Sequence, residues 1–226
     1  RHWHHNMDAE ISKAALDSGC TSFSTDVGAE PAGQKGAGTI PHSLENIYAY
    51  KYGIDNAVTR STRAFDKYID KKVPRIALVD YNNKEIGDSL QTMLLVPKLN
   101  GVRVDTCGKN FMEGGIPGYK KFWQGTGVTV EGVAALRRAI GPNVQIVLSS
   151  GFGNADKVKA FNQGELKYGL KLYDSIGAGF LDHVRTATAD IIFVGEDIED
   201  VDPIGGINPA NIIHKVGRPP KVNFKL

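Results

Sequence analysis

Residues 144–158, "VQIVLSSGFGNADKV", set an apolar run against two glycines and then a helical pattern. The run 144–151, "VQIVLSSG", has the length and β-branched content of a buried strand, and 155–168 has the spacing of a helix. The same unit recurs on either side. "PRIALVD" (74–80) is a short apolar strand ahead of a helical segment at 84–96. "GVRVDT" (101–106) is another, ahead of the helix "TVEGVAALRRAIG" (129–141) with its glycine stop. "YDSIGAG" (173–179) and "ATADIIFVG" (187–195) close the series. Strands alternating with helices predict parallel βα units, and near-continuous apolar strands predict burial on both faces. The fold class is therefore α/β.

Upstream, Ile11, Ala14, Ala15 and Leu16 share one face of a predicted helix over 7–18, and Gly19 ends it. "TSFST" (21–25) reads as a short strand. Residues 42–71 read as two helices, the second with Val58, Thr62, Phe65 and Ile69 at helical spacing. From Asp202 the chain is rich in glycine, proline and asparagine. The division expected is an α/β portion over 1–201 and an irregular segment over 202–226.

A chain of 226 residues can bury a full core, and 41% apolar with 23% charged residues is globular composition. The net charge of +2, without a basic block, gives no reason to expect nucleic acid. No apolar run approaches the ~18 residues of a membrane span. Cys20 and Cys107 make no disulfide scaffold, so a reducing cytoplasm is the compartment expected. The first residues, "RHWHHNMDAE", lack an initiator Met and soon enter a helical pattern, so a preceding segment or a processed piece is expected.

Polar residues cluster at strand ends. Asp80, Asp105, Ser149-Ser150-Gly151 and Gly177-Ala178-Gly179 all stand at C-terminal ends, where both barrels and open α/β sheets bind ligands. Glycine-freed amides before a helix suit a phosphate, and two such loops at successive strands favour one over simple tight turns. Arg103 and Asp105, two residues apart, share a strand face. They can bind an anion and a sugar hydroxyl or hydrated Mg²⁺, or form an internal ion pair. No lysine ends a strand, which speaks against Schiff-base chemistry. Finally, "AGTIPHSLE" (37–45) places His42 at a helix start between Thr39 and Ser43. A histidine there is a capping or packing residue, or, beside a phosphate cavity, a neutral imidazole that accepts a phosphoryl group.

"GTIPHSL", "ALVDYNN", "GVRVDTCG", "VLSSGFGNADKV" and "IGAG", in this order and spacing, resemble the nicotinate phosphoribosyltransferases and the wider type II group with the nicotinamide and quinolinate enzymes. The resemblance runs from Arg1 to about Gly217. It implies an incomplete (β/α) barrel, the N-terminal α/β domain being absent from this chain, and a homo-oligomer or a second chain that supplies that domain. It implies transfer of 5-phosphoribosyl from phosphoribosyl pyrophosphate to nicotinate, with Mg²⁺ as cofactor and ATP as co-substrate. The G-T-x-x-H histidine, phosphorylated in the family, falls on His42. The family's aspartates near ribose and metal-bound pyrophosphate fall on Asp80 and Asp105. Its R-x-D-[ST] arginine falls on Arg103, and its 5-phosphate loops on Ser150, Gly151 and Gly153, then Gly177, Ala178 and Gly179. Arg1 matches the arginine near the pyridine carboxylate, and Thr39 flanks the phosphoryl position. The glycine-rich segment 107–127 reads as a lid or an ordinary surface loop. The alternatives are a quinolinate- or nicotinamide-type relative, or a noncatalytic phosphosugar-binding piece that needs a partner chain.

Overall fold

A computed structural model describes residues 5–179, 190–195 and 211–218. These fall into two compact units: 5–39 with Gly179, and 40–178 with 190–195 and 211–218.

In the first unit, helix α1 (Asp8–Asp17) packs against the short helix α2 (Asp26–Ala29). Thr25 joins them. Its hydroxyl accepts the Gly28 N–H at 3.0 Å, capping α2, and donates to Asp8 Oδ2 at 2.5 Å. Gly28 is required there, since a Cβ would stand 2.6 Å from Ser12 Oγ. No strand forms over 21–25. The threonine expected in a ladder starts a helix instead, because its oxygen satisfies an otherwise orphaned helical N–H.

The second unit holds the α/β core. Helices α3 (His42–Tyr52) and α4 (Ala57–Tyr68) precede strand β1 (Ile76–Leu78). Then come α5 (Glu85–Leu95), β2 (Gly101–Val104), α6 (Val130–Ile140), β3 (Gln145–Leu148), α7 (Ala155–Tyr168) and β4 (Ser175–Ile176). The four strands form one parallel sheet in the order β1-β2-β3-β4. Ala77 pairs with Val102, Val102 with Ile146, and Leu148 with Ile176. Ala77, Leu78, Val102, Val104, Ile146 and Leu148 are fully buried, with Val133 and Leu136 of α6 and Phe161 of α7 in the same core. The strands are apolar where they enter this core, while Arg103, Gln145, Val147 and both residues of β4 keep some exposure.

The series of strands ends differently from the expectation. β4 has two residues, and among the described residues 190–195 there is no strand, only an antiparallel bridge from Phe193 to Ile212. Residues 187–189 of that expected strand lie outside the described residues. The bridge has a structural result: Val194 N–H donates to Asn211 C=O at 3.0 Å and Val216 N–H to Tyr81 C=O at 3.0 Å. That lays residues 211–218 beside the C-terminal end of β1.

Segment 107–127 is tied down at its start. Glu113 accepts the N–H groups of Ile86 and Gly87 at 2.7 and 3.2 Å, capping α5. Its own N–H donates to Glu85, whose other oxygen accepts the Thr106 hydroxyl at 2.6 Å. Among the described residues no helix is long and apolar enough to cross a membrane.

Candidate functional site

A parallel sheet points every strand's C-terminal end toward one edge, so the residues after β1 to β4 form a common rim. Asp80 follows β1, Asp105 follows β2, Ser149 to Gly153 follow β3, and Gly177 and Ala178 follow β4. The last two turns abut: Gly177 N–H donates to Leu148 C=O at 2.8 Å, and a Cβ on Gly177 would stand 3.3 Å from Ser149 Oγ.

His42, the first residue of α3, reaches this rim. Its Nε2 lies 3.2 Å from Asp80 Oδ1. Burial, with the Lys215 charge adding to it, holds the imidazole down to about 3, so the ring is neutral at pH 7. The contact is therefore a hydrogen bond between a neutral ring and a carboxylate. A carboxylate only accepts, so Nε2 carries the proton and Nδ1 presents its lone pair.

Asp80 is fully buried and binds a second partner, the ammonium of Lys215, which also donates to Asp105 C=O at 3.0 Å. Burial, with Arg218 nearby, pulls the Lys215 ammonium down to about 7, against the opposing influence of Glu45. Arg103 Nη2 donates to Asp105 Oδ2 at 3.0 Å, the two side chains being 22% and 21% exposed. Of the two readings of this pair, an ion pair forms, and it forms at the open rim.

Three residues here escaped the sequence reading. Lys215 is one: no strand ends in lysine, yet the bridge at Ile212 carries one to the ends of β1 and β2. A lysine after the apolar pair Ile212-Ile213 was its only signal. Glu45 is another, fully buried one turn after His42 and, among the described residues, with no hydrogen-bond partner on either oxygen. Burial raises its carboxyl well above the ordinary range, Lys215 opposing and Asp88 adding, so its surroundings favour the uncharged acid. Spacing could have shown it, since His42, Glu45, Asn46 and Ala49 share one helical face. The third is Lys157 in the first turn of α7, 4% exposed, whose Nζ donates to Ser150 C=O at 2.8 Å.

The other expected site residues divide as follows. Ser150 and Gly151 both have left-handed backbone, φ +68° and +81°, in the turn that also contains Gly153. For a serine this conformation is uncommon and turns the chain sharply toward α7. Thr39 and Gly179 belong to the first unit. Arg1 lies outside the described residues. A shallow concavity of about 460 Å³ lies around the C-terminal end of α7, lined by Asn162, Glu165, Leu166 and Lys171 among others. It contains none of the rim residues.

Among the described residues no group of three or more His, Cys, Asp or Glu side chains could hold a metal ion. No protein-family model matches the chain, and no curated protein matches it.

Proposed function

We propose that the chain is a nicotinate phosphoribosyltransferase, or the catalytic portion of one, with the four-stranded sheet forming part of a (β/α) barrel. The sequential strand order supports the barrel: neighbours in the chain are neighbours in the sheet, without the reversal of a doubly wound fold. The observation that carries the functional reading is the His42–Asp80 hydrogen bond, at the same rim as the Arg103–Asp105 pair and the Ser150 turn.

In this reading the pyridine nitrogen of nicotinate attacks the anomeric carbon of phosphoribosyl pyrophosphate with its lone pair. The bond from that carbon to the pyrophosphate oxygen breaks, and pyrophosphate leaves with the electron pair. Positive charge grows on the ribose between the two events, and the carboxylate of Asp105 faces it. The backbone amides of the Ser150 and Gly177 turns hold the 5-phosphate, so the reacting carbon is fixed at one distance from the rim. Arg103 takes charge on the departing pyrophosphate.

Mg²⁺ suits a donor set of this kind, because it is usually bound through one or two carboxylates plus substrate phosphates. Asp105, partly exposed, would hold it; Asp80 is already engaged on both oxygens. The ion would neutralise pyrophosphate charge.

His42 couples the transfer to ATP. Its Nδ1 lone pair attacks the γ-phosphorus, the bond to the β,γ-bridging oxygen breaks, and ADP leaves. Asp80 holds the ring by Nε2–H and stabilises the charge that appears on the imidazole. Water later removes the phosphoryl group as inorganic phosphate.

The test is product formation from phosphoribosyl pyrophosphate, nicotinate and Mg²⁺, with and without ATP. Nicotinate mononucleotide that forms faster with ATP, and without that increment in His42→Asn, supports the reading. ATP-independent turnover of quinolinate with loss of CO₂ would replace it. A chain that neither binds nor consumes phosphoribosyl pyrophosphate overturns it.

A further inference from the structure

Lys157 is a buried charge with too few partners. Its side chain is 4% exposed, and Ser150 C=O, at 2.8 Å, takes one of three N–H donors. Among the described residues it makes no ion pair. Its remaining neighbours are ring faces: Nζ lies 4.4 Å from the centroid of Phe152 and 5.9 Å from that of Trp123. Aromatic faces ease the desolvation of an ammonium but accept no conventional hydrogen bond. Lys215, equally buried, has a carboxylate and a carbonyl.

The position of this charge is informative. Nζ would stand 3.7 Å from a Cβ on Gly151, so it lies against the turn at the centre of the β3–α7 connection. Burial pulls its ammonium down to about 8, with Asp105 opposing, so it remains mostly charged at pH 7. A buried cation with two donors to spare and no carboxylate in contact is stabilised by an anion that arrives from outside.

We propose that Lys157 is the cationic anchor of an anion site at the β3–α7 turn, which takes a sugar phosphate by its phosphate group. The need for an anion follows from the lysine alone; the sugar-phosphate class rests on the function proposed above. Trp123, the one tryptophan among the described residues, lies over the same ammonium and ties the 107–127 segment to the occupied state.

The experiment uses the full chain with Trp3→Phe, so that fluorescence reports Trp123, and ribose 5-phosphate as the probe. The fluorescence should change on titration, and calorimetry should give the same dissociation constant. Lys157→Met, which keeps the length and packs between the two rings, should weaken binding about 30-fold or more, while Lys157→Arg stays within about fivefold. In the unsubstituted chain, saturating ribose 5-phosphate should slow reductive methylation of Lys157, read by peptide mass spectrometry. That arm needs no variant to fold. No binding to the parent, equal binding by Lys157→Met, or methylation unaffected by ribose 5-phosphate overturns the proposal. Binding through Lys157 without phosphoribosyl transfer would remove the proposed reaction and leave the anion site. Transfer with an unchanged KM for phosphoribosyl pyrophosphate in Lys157→Met would do the reverse.

Discussion

The two edges of the sheet bury cations in different ways. At the N-terminal edge, Arg75 enters β1 with its guanidinium bonded to Asp66 and to the carbonyls of Ile69, Asp70 and Val73. Arg137 of α6 does the same beneath β3 and β4, with the carbonyls of Gly141, Val144 and Lys171 and the carboxylate of Asp174. Both are about as buried as Lys157 at the opposite edge. The arginines spend their donors on the chain itself; the lysine keeps most of its own. Burial of charge is thus common to both edges. Satisfaction separates a cation that holds loops together from one left for a ligand.

The largest effect that would break this contrast is on stability. Arg137→Ala leaves the Gly141, Val144 and Lys171 carbonyls without their buried donor and takes one of three partners from Asp174, and should cost about 3–5 kcal/mol in urea unfolding. Lys157→Met should stay within about 1 kcal/mol. Equal losses would erase the distinction. Next, if the proposed reaction holds, Asp105→Asn should lower phosphoribosyl transfer about 100-fold with little change in stability, because its side chain is partly exposed at the rim. A loss of stability like that of Arg137→Ala would move Asp105 to the structural class.

Two titrations sharpen the contrast further. His42 is held near 3 in the folded chain against 6.5 unfolded, so its contribution to stability is present above pH 6.5 and fades as pH falls toward 3. His42→Gln should flatten the stability profile across that window, read as urea midpoints. Glu45 works in the other direction. Its raised carboxyl keeps its proton in the folded chain at a pH where the unfolded carboxyl has ionised, so stability declines as pH rises past the unfolded value of 4.5. Glu45→Gln should raise the urea midpoint at pH 8 and leave it unchanged near pH 4. This is the smallest of the four effects.

The alternation of strands and helices was legible because each strand carries a short apolar run and the helices between the strands alternate apolar and polar residues at helical spacing. "PRIALVD", "GVRVDT" and "VQIVLSSG" all contain their observed strands, trimmed by a few residues at the ends. "TSFST" misled because composition cannot distinguish a threonine that extends a ladder from one that caps a helix. The strand-end residues were legible for a geometric reason: parallel strands share a direction, so positions after each strand meet at one edge. Lys215 was not legible, because it arrives through a bridge between two irregular segments. Glu45 was legible only in part, through the helical face it shares with His42. A helix face of His, Glu and Asn reads as solvated, and α3 turns that face inward while Ile47 and Tyr52 stand exposed.

Asp80 meets the Lys215 ammonium across 135 residues of chain. During synthesis, all four strands therefore leave the ribosome before the carboxylate at the end of the first one acquires its counterion. A nascent polypeptide that stops short of this lysine has a sheet to fold and an anion to bury with only the neutral His42 ring as its partner. The contact that neutralises this end of the sheet is thus the last of its parts to be synthesised, and it sits on a short stretch whose described residues have almost no regular structure.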